Sequence, residues 1–203
     1  MRIIAGELGG RRIQAPPGRA TRPMLDRVRE ALFSTLAPEL ADARVLDLFA
    51  GTGSLGLEAL SRGAREARFV ERDRRTAKLL ALNLETLGLG ERGRVCAADA
   101  LDPAAWGDAP RDLVFLDPPY PLVRAPGGLQ QVCGLLERVA AGPLVEAGVC
   151  VLHVPRGSLV ASSLPAGFTG RLREYGSQAL WYLRPGPRAP EPAADPAGTG
   201  GGG

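Results

Sequence analysis

Between residues 43 and 155 the chain alternates short, continuously apolar runs with stretches of helical periodicity, and few folds accommodate that rhythm. The apolar runs are 44–49, 66–71, 94–98, 112–117 and 148–155. Helical spacing occupies 55–62, 73–87 and 129–141, with a weaker stretch at 103–106. The clearest is 73–87, where Ala77, Leu80, Leu84 and Leu87 share a face, Asp73 offers an N-cap and Gly88 a stop. Strands that are apolar on both sides need cover on both faces. The expectation is therefore an α/β fold, with a mainly parallel sheet between two helical layers. The last two runs, 168–175 and 178–184, are separated only by Gly176-Ser177, too little for a crossover helix, so they must form an antiparallel hairpin.

The amino-terminal segment reads differently. Two β-like runs, 2–5 and 11–14, are joined through Glu7-Leu8-Gly9-Gly10 and predict a hairpin. Leu25, Val28, Leu32 and Leu36 then predict a helix that Pro38 stops, lying at the edge of the main domain with its arginines outward. Residues 1–37 carry seven arginines against three carboxylates, a net +4 in a chain whose whole formal charge is +3. Clustered positive charge of this kind is the footprint of phosphate binding. Arg11, Arg12, Arg22, Arg27 and Arg29 are the candidate phosphate contacts, with surface ion pairing to Asp26 and Glu30 the alternative for Arg27 and Arg29. The chain thus divides into a basic extension at 1–38, an α/β domain at 39–184 and a Pro-, Ala- and Gly-rich tail at 185–203, expected to be disordered.

Several function classes are disfavoured. No apolar run has the length of a membrane span and the first residues lack the apolar centre of a signal peptide, so a cytoplasmic protein is expected. Cys96, Cys133 and Cys150 show no CxxC spacing and are expected to be buried free thiols. His153 is the only histidine, which argues against an imidazole-built metal site; it is expected to be a packed or hydrogen-bonded strand residue, and no metal is expected.

Two loops carry the chemistry. The first strand runs into Asp47-Leu48-Phe49-Ala50-Gly51-Thr52-Gly53-Ser54-Leu55-Gly56, a GxGxxG turn of the kind that nicotinamide, flavin and S-adenosylmethionine sites share. A carboxylate at Asp47 would repel a pyrophosphate and suits a ligand bearing an ammonium group. Glu71, ending the second strand, suits a ribose diol, and Asp99, following the third, offers an acceptor to an adenine amino group. The run 112–117 ends in Asp117-Pro118-Pro119-Tyr120. A carboxylate, a rigid turn exposing a backbone carbonyl and an aromatic ring together suit gripping a flat heterocycle by its exocyclic amine.

In their order, Asp47 to Gly56, Glu71, Asp99 and Asp117 to Tyr120 resemble the motifs of class I S-adenosylmethionine-dependent methyltransferases, the last being like the signature of enzymes that methylate an amine conjugated to a ring or amide. Arg2-Ile3-Ile4-Ala5-Gly6, Gly10-Arg11-Arg12-Ile13, Thr21-Arg22-Pro23 and Asp26-Arg27-Val28-Arg29-Glu30-Ala31-Leu32-Phe33 are similar to the RsmD family, which methylates guanine N2 in 16S ribosomal RNA; the resemblance spans residues 2–184. It implies a Rossmann-like fold with a seven-stranded sheet, and S-adenosyl-L-methionine held by Asp47, Phe49, Ala50, Gly51, Thr52, Gly53, Glu71, Arg72, Asp99 and Ala100. It also implies catalysis by Asp117, Pro118, Pro119 and Tyr120 on 16S rRNA within a 30S subunit or assembly intermediate. The chain departs from the family at Met24-Leu25, at His153 where a glutamate is common, and in the loop 121–128. Rival acceptors are adenine N6 of DNA or RNA and a protein glutamine amide. Rivals of other classes are an NAD-dependent oxidoreductase, disfavoured by Asp47 and the terminal hairpin, and an inactive RNA-binding assembly factor, disfavoured by intact Gly51, Gly53 and Asp117.

Overall fold

A computed structural model describes residues 1–16 and 24–186. Seven strands, β1 (Arg44–Leu48), β2 (Glu66–Val70), β3 (Gly93–Cys96), β4 (Arg111–Leu116), β5 (Leu144–Pro155), β6 (Phe168–Tyr175) and β7 (Gln178–Pro185), form one sheet in the order β3-β2-β1-β4-β5-β7-β6. The first five are mutually parallel, while β7 runs antiparallel to both β5 and β6. This is the expected seven-stranded sheet with its terminal hairpin, turning at Gly176 with φ +61°. β5 starts four residues earlier than its apolar run because Leu144 pairs with Arg111 across a register shift.

Alternation along each strand divides the core. Val45, Phe69, Leu113, Phe115, Val149 and Val151 face one side, where they meet helices α1 (Asp26–Thr35), α3 (Ser54–Ser61) and α4 (Arg74–Thr86). Leu46, Leu48, Val114, Leu116, Cys150 and Leu152 face the other, against α6 (Gly128–Ala141). Both faces are therefore dry, which is why these strands read as unbroken apolar runs. Helix α4 begins and ends as its sequence dictates: the Asp73 carboxylate accepts from the Thr76 amide at 2.9 Å, and Gly88 closes it with φ +72°.

The amino-terminal segment differs from expectation in three ways. The hairpin reduces to one antiparallel bridge, Arg2 to Arg12, flanked by the bonds Ile3 N–H to Arg11 O and Gly10 N–H to Ile3 O, both 2.9 Å. Its register is held from outside, by Glu58 and Ser61 of α3 and Asn83 of α4, which bond to backbone groups of Ile4, Ala5, Leu8 and Gln14. Pro38 does not stop a helix; it sits in the first turn of α2 (Ala37–Leu40), where its missing N–H is no loss. Arg29 does not point outward. It is 1% exposed, and its guanidinium donates to Arg2 O at 2.7 Å and to Asp26 Oδ1 at 3.1 Å. Burial lowers its pKa while Glu58 and Asp26 oppose that shift.

Residues 1–16 and α1 share the core of the sheet: Ile3, Ile13, Val28, Leu32 and Phe33 are buried in the same cluster as Phe69 and Phe115. The element Thr21-Arg22-Pro23 and residues 187–203 of the expected tail lie outside the described residues. Cys150 is fully buried, and burial pushes its thiol pKa up, whereas Cys96 and Cys133 are only half-buried. Among the described residues no helix is long and apolar enough to cross a membrane, and no group of three or more His, Cys, Asp or Glu side chains is arranged to hold a metal ion.

Candidate functional site

The carboxyl ends of β1 to β4 open on one edge of the sheet, and backbone bonds tie them together. Ala50 N–H donates to Val70 O at 3.0 Å, Glu71 N–H to Cys96 O at 3.1 Å and Asp117 N–H to Leu48 O at 3.4 Å. Leu48 and Leu116 are register partners, so the glycine loop and the Asp-Pro-Pro-Tyr turn leave the sheet side by side. Such a crevice beyond the carboxyl ends of parallel strands is the usual ligand position in open α/β sheets.

The glycine loop is tightly built. Phe49, Gly51 and Gly53 have φ of +61°, +56° and +80°. For Phe49 this left-handed backbone costs about 1–2 kcal/mol, so the surrounding structure must hold it there. A Cβ on Gly53 would come within 2.3 Å of Leu80 Cδ1, and one on Gly56 within 2.3 Å of Phe69 Cε1. The first constraint keeps the loop flat; the second lets α3 press against β2.

Carboxylates surround this loop. Asp47 is 1% exposed and accepts from Gly56 N–H at 2.9 Å. Burial raises its pKa well above the ordinary 3.8; the Gly56 bond opposes the shift, and the charges of Asp117 and Glu71 add to it. Glu71 is half-buried and holds the loop from below, accepting from Gly51 N–H at 2.9 Å and Asp73 N–H at 2.7 Å. Asp99 is exposed and accepts from Leu101 N–H at 2.9 Å, turning the chain toward buried Ala100. Arg72 is exposed beside Glu71, Phe49 and Thr52 are half-exposed, and Ala50 is buried. Crowded carboxylates in partial burial make this a corner suited to positive charge.

At the tip of β4, neither Pro118 nor Pro119 has an N–H, and the Pro119 carbonyl accepts from Leu122 and Val123 at the start of α5 (Tyr120–Arg124). This one-turn helix occupies part of what reads as a loop; five residues are too few to show periodicity, and Pro121 in its first turn disguises it. It aims Tyr120 back toward the sheet, with the Arg124 guanidinium 5.6 Å from the ring centroid.

His153 is the buried, hydrogen-bonded strand residue expected, and its partners lie at the tip of β4. Its Nδ1 lies 2.8 Å from Asp117 Oδ1 and its Nε2 3.5 Å from Tyr120 Oη. One sequence signal pointed to it: a lone imidazole within a buried apolar strand. Finding its partner required knowing that β5 lies beside β4.

The arginine candidates separate. Arg11, Arg12 and Arg27 are exposed, whereas buried Arg29 is corrected to an internal ion-pair residue with no surface to offer a phosphate. Arg22 lies outside the described residues.

Residues 1–183 match the family whose model is described as Conserved hypothetical protein 95. Ribosomal RNA small subunit methyltransferase D of Escherichia coli (strain K12) is 44% identical over 137 residues, covering 68% of this chain and 67% of the relative. Putative rRNA methyltransferase YlbH of Bacillus subtilis (strain 168) is 43% identical over 123 residues, 59% of this chain and 67% of its own length. Among solved structures, the putative methyltransferase yhhF from Escherichia coli superposes with a TM-score of 0.78 at 37% identity, over 92% of this chain and 98% of that one.

Proposed function

The chain belongs to the Conserved hypothetical protein 95 family, that of the RsmD methyltransferases, and on that premise we propose that it moves a methyl group from S-adenosylmethionine to the exocyclic N2 amine of a guanine in 16S ribosomal RNA. One observation carries the reading. The glycine loop after β1 and the Asp117-Pro118-Pro119-Tyr120 turn after β4 leave adjacent, hydrogen-bonded strand tips, so a donor against the first and an acceptor against the second share one crevice.

The residues suit this cofactor on two grounds. The loop is flattened by Gly51 and Gly53, so backbone rather than side chain faces a ligand, and the mutual repulsion of Asp47, Asp117 and Glu71 is relieved by a ligand carrying positive charge. In this reading Phe49, Ala50, Gly51, Thr52 and Gly53 wall the methionine side with Asp47 beneath, Glu71 and Arg72 take the ribose, and Asp99 and Ala100 the adenine. When bound, the cofactor supplies an electrophilic sulfonium methyl, so the protein's task is alignment and exclusion of water.

The acceptor is the difficult partner, because an aryl amine delocalises its lone pair into the ring. Asp117 and the Pro118 carbonyl each accept one amine N–H, which holds the nitrogen and draws it toward sp³ geometry; the bonds strengthen as positive charge develops in the transition state. On accepting the methyl in exchange for the sulfonium's bond to it, the amine nitrogen would become cationic, and Asp117 would take one of its protons directly or through water. Tyr120 stacks on the base, a contact worth about 1–3 kcal/mol. Extruding the base costs least in loops and bulges, which suits structured single-stranded RNA, in a 30S subunit or an assembly intermediate. Arg11, Arg12 and Arg27, exposed on the amino-terminal segment, and Arg22 take phosphates, positioning the RNA without specifying the base. This substrate makes the protein cytoplasmic.

The test is transfer of labelled methyl to 30S subunits, naked 16S rRNA, total RNA and DNA, followed by nucleoside analysis. The expected product is N2-methylguanosine; N6-methyladenosine as the sole product would reassign the acceptor.

A further inference from the structure

The transfer scheme above leaves His153 without a task, yet the fold gives it two partners, both of them substrate contacts in that scheme. His153 stands on β5 one residue beyond Leu152, the register partner of Leu116, and so beside Asp117. From residue 148 to 155 every residue of the strand is buried, and its cross-strand partner on β7 is Leu180, which carries no charge. An imidazole at 3% exposure in such a strand is costly unless bonded. It is bonded at 2.8 Å to Asp117 Oδ1 from one nitrogen and lies 3.5 Å from Tyr120 Oη at the other, with the two rings 5.9 Å apart and tilted by 57°.

Two lone pairs do not face each other at 2.8 Å, so a proton lies between Nδ1 and Oδ1. In the Nδ1–H tautomer that proton is donated to Asp117 and the Nε2 lone pair faces the Tyr120 hydroxyl, which can donate.

We propose that His153 is a positioning residue for methyl transfer: its Nδ1–H holds one oxygen of Asp117 so that the other faces the acceptor amine, while its Nε2 anchors the hydroxyl of the stacking ring. The inference rests on Asp117 and Tyr120 contacting substrate as described above. A single buried imidazole thereby fixes the angle between the group that grips the amine and the group that grips the ring. Substrate affinity depends little on that angle; in-line geometry depends on it strongly.

The chain has one histidine, so its ring nitrogens give unambiguous signals in ¹⁵N-labelled protein. At neutral pH the wild-type protein is expected to show the Nδ1–H tautomer, and Asp117→Ala to lose that preference; a dominant Nε2–H tautomer in the wild type overturns the proposal. Kinetics give the second readout. His153→Leu is expected to lower kcat by up to about 100-fold, the cost of an ~1 Å misplacement of a positioned group, with cofactor Kd and RNA KM within a few-fold. His153→Asn, which returns an N–H near the position of Nδ1, is expected to recover most of the loss, whereas a merely structural role would move melting temperature and leave kcat alike in both variants. His153→Leu at wild-type kcat, or His153→Asn no better than His153→Leu, overturns the proposal. A wild-type protein that methylates no RNA sinks the functional reading and this inference together; an active wild type with indifferent variants sinks the inference alone.

Discussion

Glu58, with Ser61, fastens the amino-terminal segment to the helix that follows the glycine loop, and replacing it by alanine should loosen the segment without destroying the helix. The carboxylate is 0% exposed on α3. It accepts from Ile4 N–H at 2.7 Å, Ala5 N–H at 3.0 Å and Arg62 Nε at 2.8 Å, with Arg29 Nε at 4.0 Å. Glu58→Ala strands two backbone amides, each worth about 1–3 kcal/mol when left unsatisfied, and breaks a buried ion pair, a change that costs about 3–5 kcal/mol. These costs overlap because one carboxylate serves all the partners, and Arg29 keeps Asp26 and Arg2 O, so about 3–5 kcal/mol in total is expected. Against this stands the anchoring of Ile3 and Ile13, 0% and 3% exposed, each contributing about 1.5–3 kcal/mol through burial. The two sums are close, so the segment should be left marginally docked. Urea unfolding should report a loss of about 3–5 kcal/mol, and trypsin should cut faster at exposed Arg11 and Arg12, which wild-type docking holds in register. Glu58→Gln, retaining one acceptor oxygen, should fall between. A loss below about 1 kcal/mol, the scale of a single surface interaction, with unchanged tryptic cleavage would refute the reasoning.

Other consequences are more local. Gly53→Val forces a branched side chain into a φ of +80° and against Leu80 Cδ1, and isothermal titration should find S-adenosylmethionine binding lost; retention of wild-type affinity would mean that the loop is not the cofactor wall. Asp47 has a raised pKa in the folded protein, so between 3.8 and that raised value the unfolded chain has already released a proton that the folded one keeps, and stability from this residue falls as pH rises through the window. Asp47→Asn should therefore flatten the pH dependence of the melting temperature, raise stability of the ligand-free protein on the alkaline side and weaken the cationic cofactor; melts parallel to wild type from pH 5 to 9 would contradict this. Arg11→Glu with Arg12→Glu should weaken RNA binding and reduce the slope of log K against log salt by about 2 if each neutralises one phosphate; unchanged affinity would move RNA recognition to another surface.

The sheet was legible in the sequence because its strands are buried on both faces, and α4 because Asp73 and Gly88 mark its ends with chemistry that needs no tertiary context. The amino-terminal segment was less so. Arg29 and Arg27 look alike in the text, and only the docking of Met1 and Arg2 over α1 decides that Arg29 turns inward while Arg27 stays exposed. The hairpin pairs as expected at Arg2 and Arg12 but is shorter for a similar reason: beyond that bridge the backbone groups of Ile4, Ala5, Leu8 and Gln14 bond to Glu58, Ser61 and Asn83, partners 53 to 69 residues away that local β-propensity does not see. In the candidate site, the glycine loop and the Asp117 turn are local motifs and were visible. The contact between His153 and Asp117 is a matter of strand order and register, set by β5 lying next to β4.

The central claim is that Asp117 acts on the acceptor amine and leaves the cofactor to the glycine loop. It is tested most directly by measuring kcat for methyl transfer to 30S subunits and the Kd for S-adenosylmethionine in Asp117→Ala beside wild type. Transfer should fall by at least about 100-fold, the scale for removing one group that stabilises developing charge, with cofactor Kd within a few-fold of wild type. Asp117→Ala at full activity would contradict it.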